Sequence, residues 1–219
     1  MKRGRPLTLA LPKGRLFQPA WDLLRRMRCV EAEGWGDERS LIRGTADGGI
    51  RIVRIRDVDV PTYVEHGAAD LGIVGKDILL EQEKVVYEPL DLGFGFCRLL
   101  LAAPADSGKP VEWGDLVREA PLRIATKFVR ITERFFDAEA IPVDVVKLYG
   151  AVELAPAMGL ADAVVDLVDT GRTLRENGLA EVREILRSSA RLIVNRASQK
   201  TRREEVGTFV RLCQRRLGG

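Results

Sequence analysis

Residues Ala163-Val164-Val165-Asp166-Leu167-Val168-Asp169-Thr170-Gly171-Arg172-Thr173-Leu174-Arg175-Glu176-Asn177-Gly178-Leu179 pass from an apolar, strand-like run through carboxylates spaced three apart. They continue into Thr-Gly-x-Thr and a short helical signal. A strand whose carboxyl end delivers acids, then hydroxyls and glycine ahead of a helix, is a unit of an α/β fold, and it suits a ligand bearing phosphate and ribose. Backbone N–H groups and threonine hydroxyls hold phosphate oxygens, while Asp166 and Asp169 accept from ribose hydroxyls or help to hold a hydrated Mg²⁺. Thr173-x-x-Glu176 has the form of a capping box, which sets the helix start at the Thr-Gly-x-Thr turn. Asn177-Gly178 ends that helix after little more than one turn.

The chain as a whole has 219 residues and 46% hydrophobic content, enough for one large α/β domain or two small lobes. A net charge of +3 from 35 basic and 32 acidic residues is a mixed surface and gives no support to nucleic-acid binding. Cys29, Cys97 and Cys213 are far apart and His66 is the one histidine, which argues against a zinc site or a disulfide framework. No apolar run approaches the roughly 18 residues of a membrane span, and the run behind the basic N-terminus, about five residues, is too short for a signal-peptide core. The expected protein is soluble and cytoplasmic, with neither nucleic acid nor membrane as partner.

Outward from the central stretch, strand and loop alternate along the chain. Leu7 to Leu11 is a short buried strand closed by Pro12-Lys13-Gly14-Arg15, and Leu16, Phe17, Ala20, Leu23, Leu24 and Met27 follow at helical spacing. Lys13 and Arg15 are phosphate ligands or ordinary solvated loop charges. Residues from Val30 to Gly49 suit a loop or an edge hairpin. Arg51 to Arg56 alternates as a strand with one wetted face, and Asp59 and Pro61 suit a helix start. The helix ends near His66-Gly67, where His66 suits a surface role, and Ala69 to Asp77 is a small-residue strand that breaks at Gly75-Lys76. Gly93-Phe94-Gly95 lacks the third glycine of a dinucleotide fingerprint.

Pro104 to Pro110 marks a boundary by composition. Beyond it Leu122 to Thr126, a helix carrying Phe128, Ile131, Phe135 and Phe136, and the strand from Pro142 to Leu148 renew the alternation. Glu153, in the helical turn opened by Gly150, complements a helix dipole or serves as a ribose ligand. Ile185 to Val194 suits one or two strands. The tail starts at a second capping-box pattern, Thr201-x-x-Glu204, with Val206, Phe209, Val210, Cys213 and Leu217 on an apolar face.

Strand ends thus deliver Lys13-Gly14-Arg15, Gly75-Lys76 and Asp169 to Thr173, a set that suits two phosphorylated substrates or a nucleotide and a sugar phosphate. A P-loop, a Ser-His-Asp triad and a cysteine nucleophile are absent from the sequence patterns. Chemistry would then rest on positioning and charge stabilisation.

Several stretches together resemble the short form of the ATP phosphoribosyltransferase family. They are Leu11 to Leu16, Arg54-Ile55-Arg56 with Asp59-Val60-Pro61, Asp70 to Asp77, Arg123 to Lys127, Gly150 to Pro156, and Asp166 to Leu179. The resemblance implies an α/β, two-lobed fold like type II periplasmic binding proteins, with lobe one at 1–97 plus 180–219 and lobe two at 98–179. It implies attack of adenine N1 of ATP on C1′ of phosphoribosyl pyrophosphate, releasing pyrophosphate with Mg²⁺, the first step of histidine biosynthesis.

By the same resemblance Asp169, Thr170, Gly171, Arg172, Thr173 and Leu174 hold the 5-phosphate region, with Asp166 and Glu153 near the ribose. Lys13, Gly14, Arg15, Arg56, Gly75 and Lys76 face the pyrophosphate and ATP phosphates, and Asp169 and Arg15 are the catalytic candidates. Mg²⁺ would be held mainly by substrate phosphates. The chain stops after one helix, so the resemblance further implies a catalytic dimer within a hetero-oligomer, completed by a regulatory subunit similar to histidyl-tRNA synthetase. Phe128-Val129 departs from the family's proline-bearing turn. A two-lobed solute receptor and a Rossmann-like salvage phosphoribosyltransferase are the competing expectations. The paired aspartates argue against the first, and the late position of the loop against the second.

Overall fold

Apolar runs that each end in a glycine- or lysine-bearing turn become the central strands of two sheets. The computed structural model describes residues 5–30, 34–36, 39–45, 48–105, 111–118, 121–169 and 171–217. Thr170, the basic residues ahead of Arg5 and most of the Pro104 to Pro110 segment therefore lie outside the described residues. In chain order the first elements are β1 (Leu7–Pro12), α1 (Phe17–Arg26), β2 (Ile42–Gly44), β3 (Ile50–Ile55), α2 (Val60–Glu65), β4 (Leu71–Gly75), α3 (Lys76–Gln82) and β5 (Tyr87–Asp91). They are followed by β6 (Cys97–Pro104), α4 (Trp113–Arg118), β7 (Leu122–Thr126), α5 (Val129–Ala138), β8 (Val143–Lys147), β9 (Ala163–Val168), α6 (Arg172–Glu176) and β10 (Leu179–Ser188). The last are β11 (Ala190–Val194), α7 (Arg196–Thr201) and α8 (Arg203–Leu217). The chain divides into unit 1, Met1–Gly95 with Ser189–Gly219, and unit 2, Phe96–Ser188. No helix among the described residues is long and apolar enough to cross a membrane.

In unit 1 the strand order is β2-β3-β1-β4-β11-β5, with β3, β1 and β4 mutually parallel and β11 antiparallel to β4. Every residue of β1 and β4 is buried, as expected of parallel strands covered on both faces. One face packs Leu9, Leu11 and Ile52 against Trp21, Leu24, Phe209 and Cys213; the other packs Ala10, Val74 and Ile193 against Val60 and Val64. Burial pushes the Cys213 thiol up to about 12, which fits its packing role. Strand β3 exposes Arg51 and fully buries Ile52, but its alternation is not strict: Arg54, on the Ile52 face, is half-buried, its guanidinium 4.3 Å from the Phe17 ring centroid and its stem serving as apolar surface.

Asp70, fully buried, ties the returning C-terminal elements to the sheet. Its carboxylate accepts from the Thr8 N–H (2.8 Å), the Ser198 hydroxyl (2.7 Å), Arg5 (3.0 Å) and Arg202 (3.1 Å). A buried carboxylate is stable only with such a full set of donors. Asn195 caps α7 by accepting from the Ser198 N–H at 2.9 Å while its amide donates to the Val64 carbonyl at 2.7 Å.

In unit 2 the order is β10-β6-β9-β7-β8, with β9, β7 and β8 parallel and β6 antiparallel to both β9 and β10. Leu100, Ala125, Val152, Val164, Val168 and Leu174 form a core on the α6 side. Phe128, Ile131 and Phe136 are buried and Phe135 packs edge-on to Phe136, as their helical spacing predicts. Residues 180–188, expected in lobe one, instead complete this second sheet, paired antiparallel along β6. Their charges recur every third residue, and register shifts between Glu181 and Arg183 and between Glu184 and Leu186 conceal the two-residue period of a strand.

Both capping-box expectations give way to other caps. Gly171, at φ +72°, precedes α6, and Glu176 turns to Arg172 Nε at 2.7 Å instead of reaching back to the helix start. Thr201 closes α7, its hydroxyl donating to the Ala197 carbonyl at 3.0 Å, and α8 starts at Arg203.

Candidate active site

Parallel strands present their carboxyl ends on one side of a sheet, and ligand loops collect there. In unit 2 the end of β9 carries Asp166 and Asp169. Asp166, half-buried, accepts from the Leu167 N–H at 2.8 Å and lies 3.5 Å from Lys127 Nζ, which register places beside it at the end of β7. Asp169 is exposed, with no polar partner for its side chain among the described residues. Gly171 takes the left-handed conformation that turns the chain into α6, where the N–H groups of Arg172, Thr173 and Leu174 have no intrahelical acceptor.

With five residues α6 contributes little dipole, so backbone N–H groups and the Thr173 hydroxyl are its usable anion ligands. The Leu174 side chain is buried in the core, which leaves its N–H alone to face a ligand. Arg172 is exposed and paired with Glu176. Glu153 occupies a 3-10 turn, Val152–Leu154, that follows Ala151 at φ +49°. Val152 packs in the same cluster as Val168 and Leu174, so that turn stands on the α6 side of the sheet. Thr170 lies outside the described residues.

In unit 1 the adjacent ends of β3, β1 and β4 deliver Arg56, Lys13-Gly14-Arg15 and Lys76 side by side, since Pro12 pairs with Ile55 and Ala10 with Gly72. Gly14 turns the loop at φ +81°. Lys13 and Arg56 are exposed, without a side-chain partner among the described residues. Arg15 Nη1 donates to the Gly95 carbonyl at 2.7 Å, fastening this loop to the turn at which the chain leaves the unit. Lys76 Nζ is held by Glu88 at 2.6 Å, and its neighbour Gly75 lacks a side chain because a Cβ there would overlap the Asp77 carboxylate.

Sequence pattern alone gives neither Lys127 nor Arg98 a role. Lys127 had a signal, a cation at a strand end; its approach to Asp166 depends on register and had none. Arg98 opens an apolar run, and its contacts lie 83 residues away on Glu181, at 3.0 Å through both guanidinium nitrogens. Among the described residues no group of three or more His, Cys, Asp or Glu side chains could by itself hold a metal ion. Asp166 and Asp169 at one strand end fit a cation that takes most of its oxygen ligands from a bound substrate.

A family model described as ATP phosphoribosyltransferase matches residues 56–215. An ATP phosphoribosyltransferase from Syntrophotalea carbinolica is 46% identical over 214 residues, 96% of this chain and 95% of that protein. The solved ATP phosphoribosyl transferase (HisG:HisZ) complex from Thermotoga maritima contains a chain 37% identical, with a TM-score of 0.79 over 97% of this chain and 98% of that one. The alkanesulfonate-binding protein SsuA from Xanthomonas axonopodis pv. citri, 12% identical, aligns with a TM-score of 0.59 over 99% of this chain and 74% of that chain. That last likeness is one of fold, the two-lobed α/β architecture of periplasmic binding proteins.

Proposed function

The chain belongs to the ATP phosphoribosyltransferase family, and from that premise we infer that it condenses ATP with phosphoribosyl pyrophosphate to give phosphoribosyl-ATP and pyrophosphate, opening histidine biosynthesis. The observation that carries this reading is similarity along nearly the whole chain to proteins of that one activity.

Unit 2 holds phosphoribosyl pyrophosphate. The loop from Asp169 to Leu174, Thr170 included, receives the 5-phosphate through backbone N–H groups and the Thr173 hydroxyl, and Asp166 and Glu153 accept from ribose hydroxyls. Unit 1 supplies Lys13, Arg15, Arg56 and Lys76 to pyrophosphate and ATP phosphates, with Gly14 and Gly75 shaping the backbone. Lys76 must exchange its Glu88 partner for phosphate oxygen, whereas Lys13 and Arg56 are already available.

As adenine N1 attacks C1′, the ribose gains oxocarbenium character and negative charge gathers on the departing pyrophosphate. Fixed cations oriented at those oxygens lower the barrier without a protein nucleophile. Asp166 and Asp169 could help to hold a divalent cation such as Mg²⁺ that takes its other ligands from substrate phosphates, and such a cation would supply further neutralisation of that charge. Asp169, exposed at the end of β9, orients the ribose for in-line displacement. A HisZ-like regulatory subunit assembles with this chain, a reading supported by the 37%-identical chain of the Thermotoga maritima complex.

Incubating the protein with ATP, phosphoribosyl pyrophosphate and Mg²⁺, with and without a histidyl-tRNA-synthetase-like subunit of the same organism, tests this by mass detection of phosphoribosyl-ATP. Product that rises with the subunit and disappears with EDTA is expected. Failure of both mixtures to form product, together with tight binding of an unrelated small solute, would overturn the enzyme reading in favour of a receptor.

A further inference from the structure

Strand β10 carries Glu181, Glu184 and Arg187 at intervals of three, a spacing that a regular strand distributes over both faces. The two register shifts restore one face. Glu181 lies opposite Ala102, Glu184 opposite Leu100 and Arg187 opposite Arg98, and these β6 partners all project to the same side. Arg98 gathers the set: its Nη1 and Nη2 donate to Glu181 at 3.0 Å each, and Nη1 lies 3.7 Å from Glu184, which also accepts from Arg187 Nε at 2.8 Å. The hydrogen bond to Glu181 holds the Arg98 guanidinium above its ordinary pKa.

Glu181 also backs the turn that enters α6. A Cβ built on Gly171 would lie 3.3 Å from Glu181 Oε1, and Arg98 pairs in register with Val168, the residue on which β9 ends. Arg98 is thus the strand neighbour of the residue that ends β9, and the carboxylate it holds lies behind Gly171, where α6 begins. An uncompensated carboxylate behind a loop that receives phosphate would oppose the ligand, and a bidentate guanidinium both cancels that charge and fixes the carboxylate's orientation.

We propose that Arg98 and Glu181 are a positioning pair for the phosphoribosyl loop, Glu181 seating the backbone at Gly171 and Arg98 neutralising the carboxylate so that the 5-phosphate is accepted. The proposal rests on the reading that this loop binds phosphoribosyl pyrophosphate. Calorimetric titration of the full chain with phosphoribosyl pyrophosphate and Mg²⁺ tests it, using Arg98→Met, Glu181→Gln, the double variant and Thr173→Ala. Arg98→Met weakens binding about tenfold, Glu181→Gln about threefold or less, and the double variant returns to the Glu181→Gln value, because removing the carboxylate removes the repulsion.

In steady state the Arg98→Met loss falls on KM for phosphoribosyl pyrophosphate, with kcat and ATP affinity held within about twofold. If Arg98→Met does not fold, Arg98→Lys, which keeps the charge without the fork, carries the same test with a loss of about threefold. Normal binding by Arg98→Met, or a double variant as weak as Arg98→Met, overturns the pair's role. Unchanged binding by Thr173→Ala would instead overturn the loop assignment on which it rests.

Discussion

Gly171 combines a left-handed backbone at φ +72° with a carboxylate behind its Cα. Gly171→Ala is predicted to cost about 1–2 kcal/mol of backbone strain and to lower phosphoribosyl pyrophosphate affinity by an order of magnitude while ATP affinity is kept. Paired titrations of the two substrates check this, and equal losses for both would contradict it. Asp169 is exposed and outside the core, so Asp169→Ala is predicted to leave the circular dichroism spectrum intact while turnover falls about a hundredfold. Wild-type turnover in the folded variant would remove the residue from the mechanism. Asp166, Asp169 and Thr173 stand out in the sequence as candidates because they fall within one strand-loop-helix stretch. Arg98 and Lys127 do not, because what each touches is set by strand register. Leu174 illustrates the converse, a residue of the motif whose side chain belongs to the core.

At the scale of elements, strands with uninterrupted apolar runs are readable: the apolar run that opens the Asp166 stretch is β9, Ala163–Val168. Helix starts were less so, since capping-box patterns at Thr173 and Thr201 lost to Gly171 and to the Asn195 cap, neither of which follows from spacing alone. Asn195→Ala removes that cap and the amide that donates to the Val64 and Glu65 carbonyls, the first of which keeps only the Gly67 N–H, so urea unfolding should show a loss of about 1–3 kcal/mol. A change within error would contradict the view that this residue fastens α7 to α2. In unit 2 Arg123 holds the Asp162 carboxyl below its ordinary value of 3.8, through a side-chain hydrogen bond at 2.9 Å. A depressed carboxyl stabilises the fold above its unfolded pKa, and that contribution is lost as pH falls through the folded value. The stability gap between wild type and Asp162→Asn should therefore be constant above about pH 5 and close as the solution is acidified below about pH 4. A gap independent of pH would show that the pair contributes nothing through ionisation.

For the whole molecule, the alternation of strand, basic or acidic loop, and helix was enough to indicate an α/β chain with strand-end loops. The family resemblance that the motifs carry implied a two-lobed fold of the periplasmic-binding type. The passage back from unit 2 to unit 1, between Ser188 and Ser189, was not legible, because β10 hides its period behind two bulges and runs almost directly into β11. A crystal structure of the protein with phosphoribosyl pyrophosphate and Mg²⁺ decides whether the β9–α6 loop of unit 2 holds the phosphoribosyl group. The 5-phosphate is expected against the N–H groups of residues 171–174 and the Thr173 hydroxyl, with the ribose hydroxyls at Asp166 and Glu153 and the ribose oriented by Asp169; a 5-phosphate bound elsewhere in the molecule would refute the assignment.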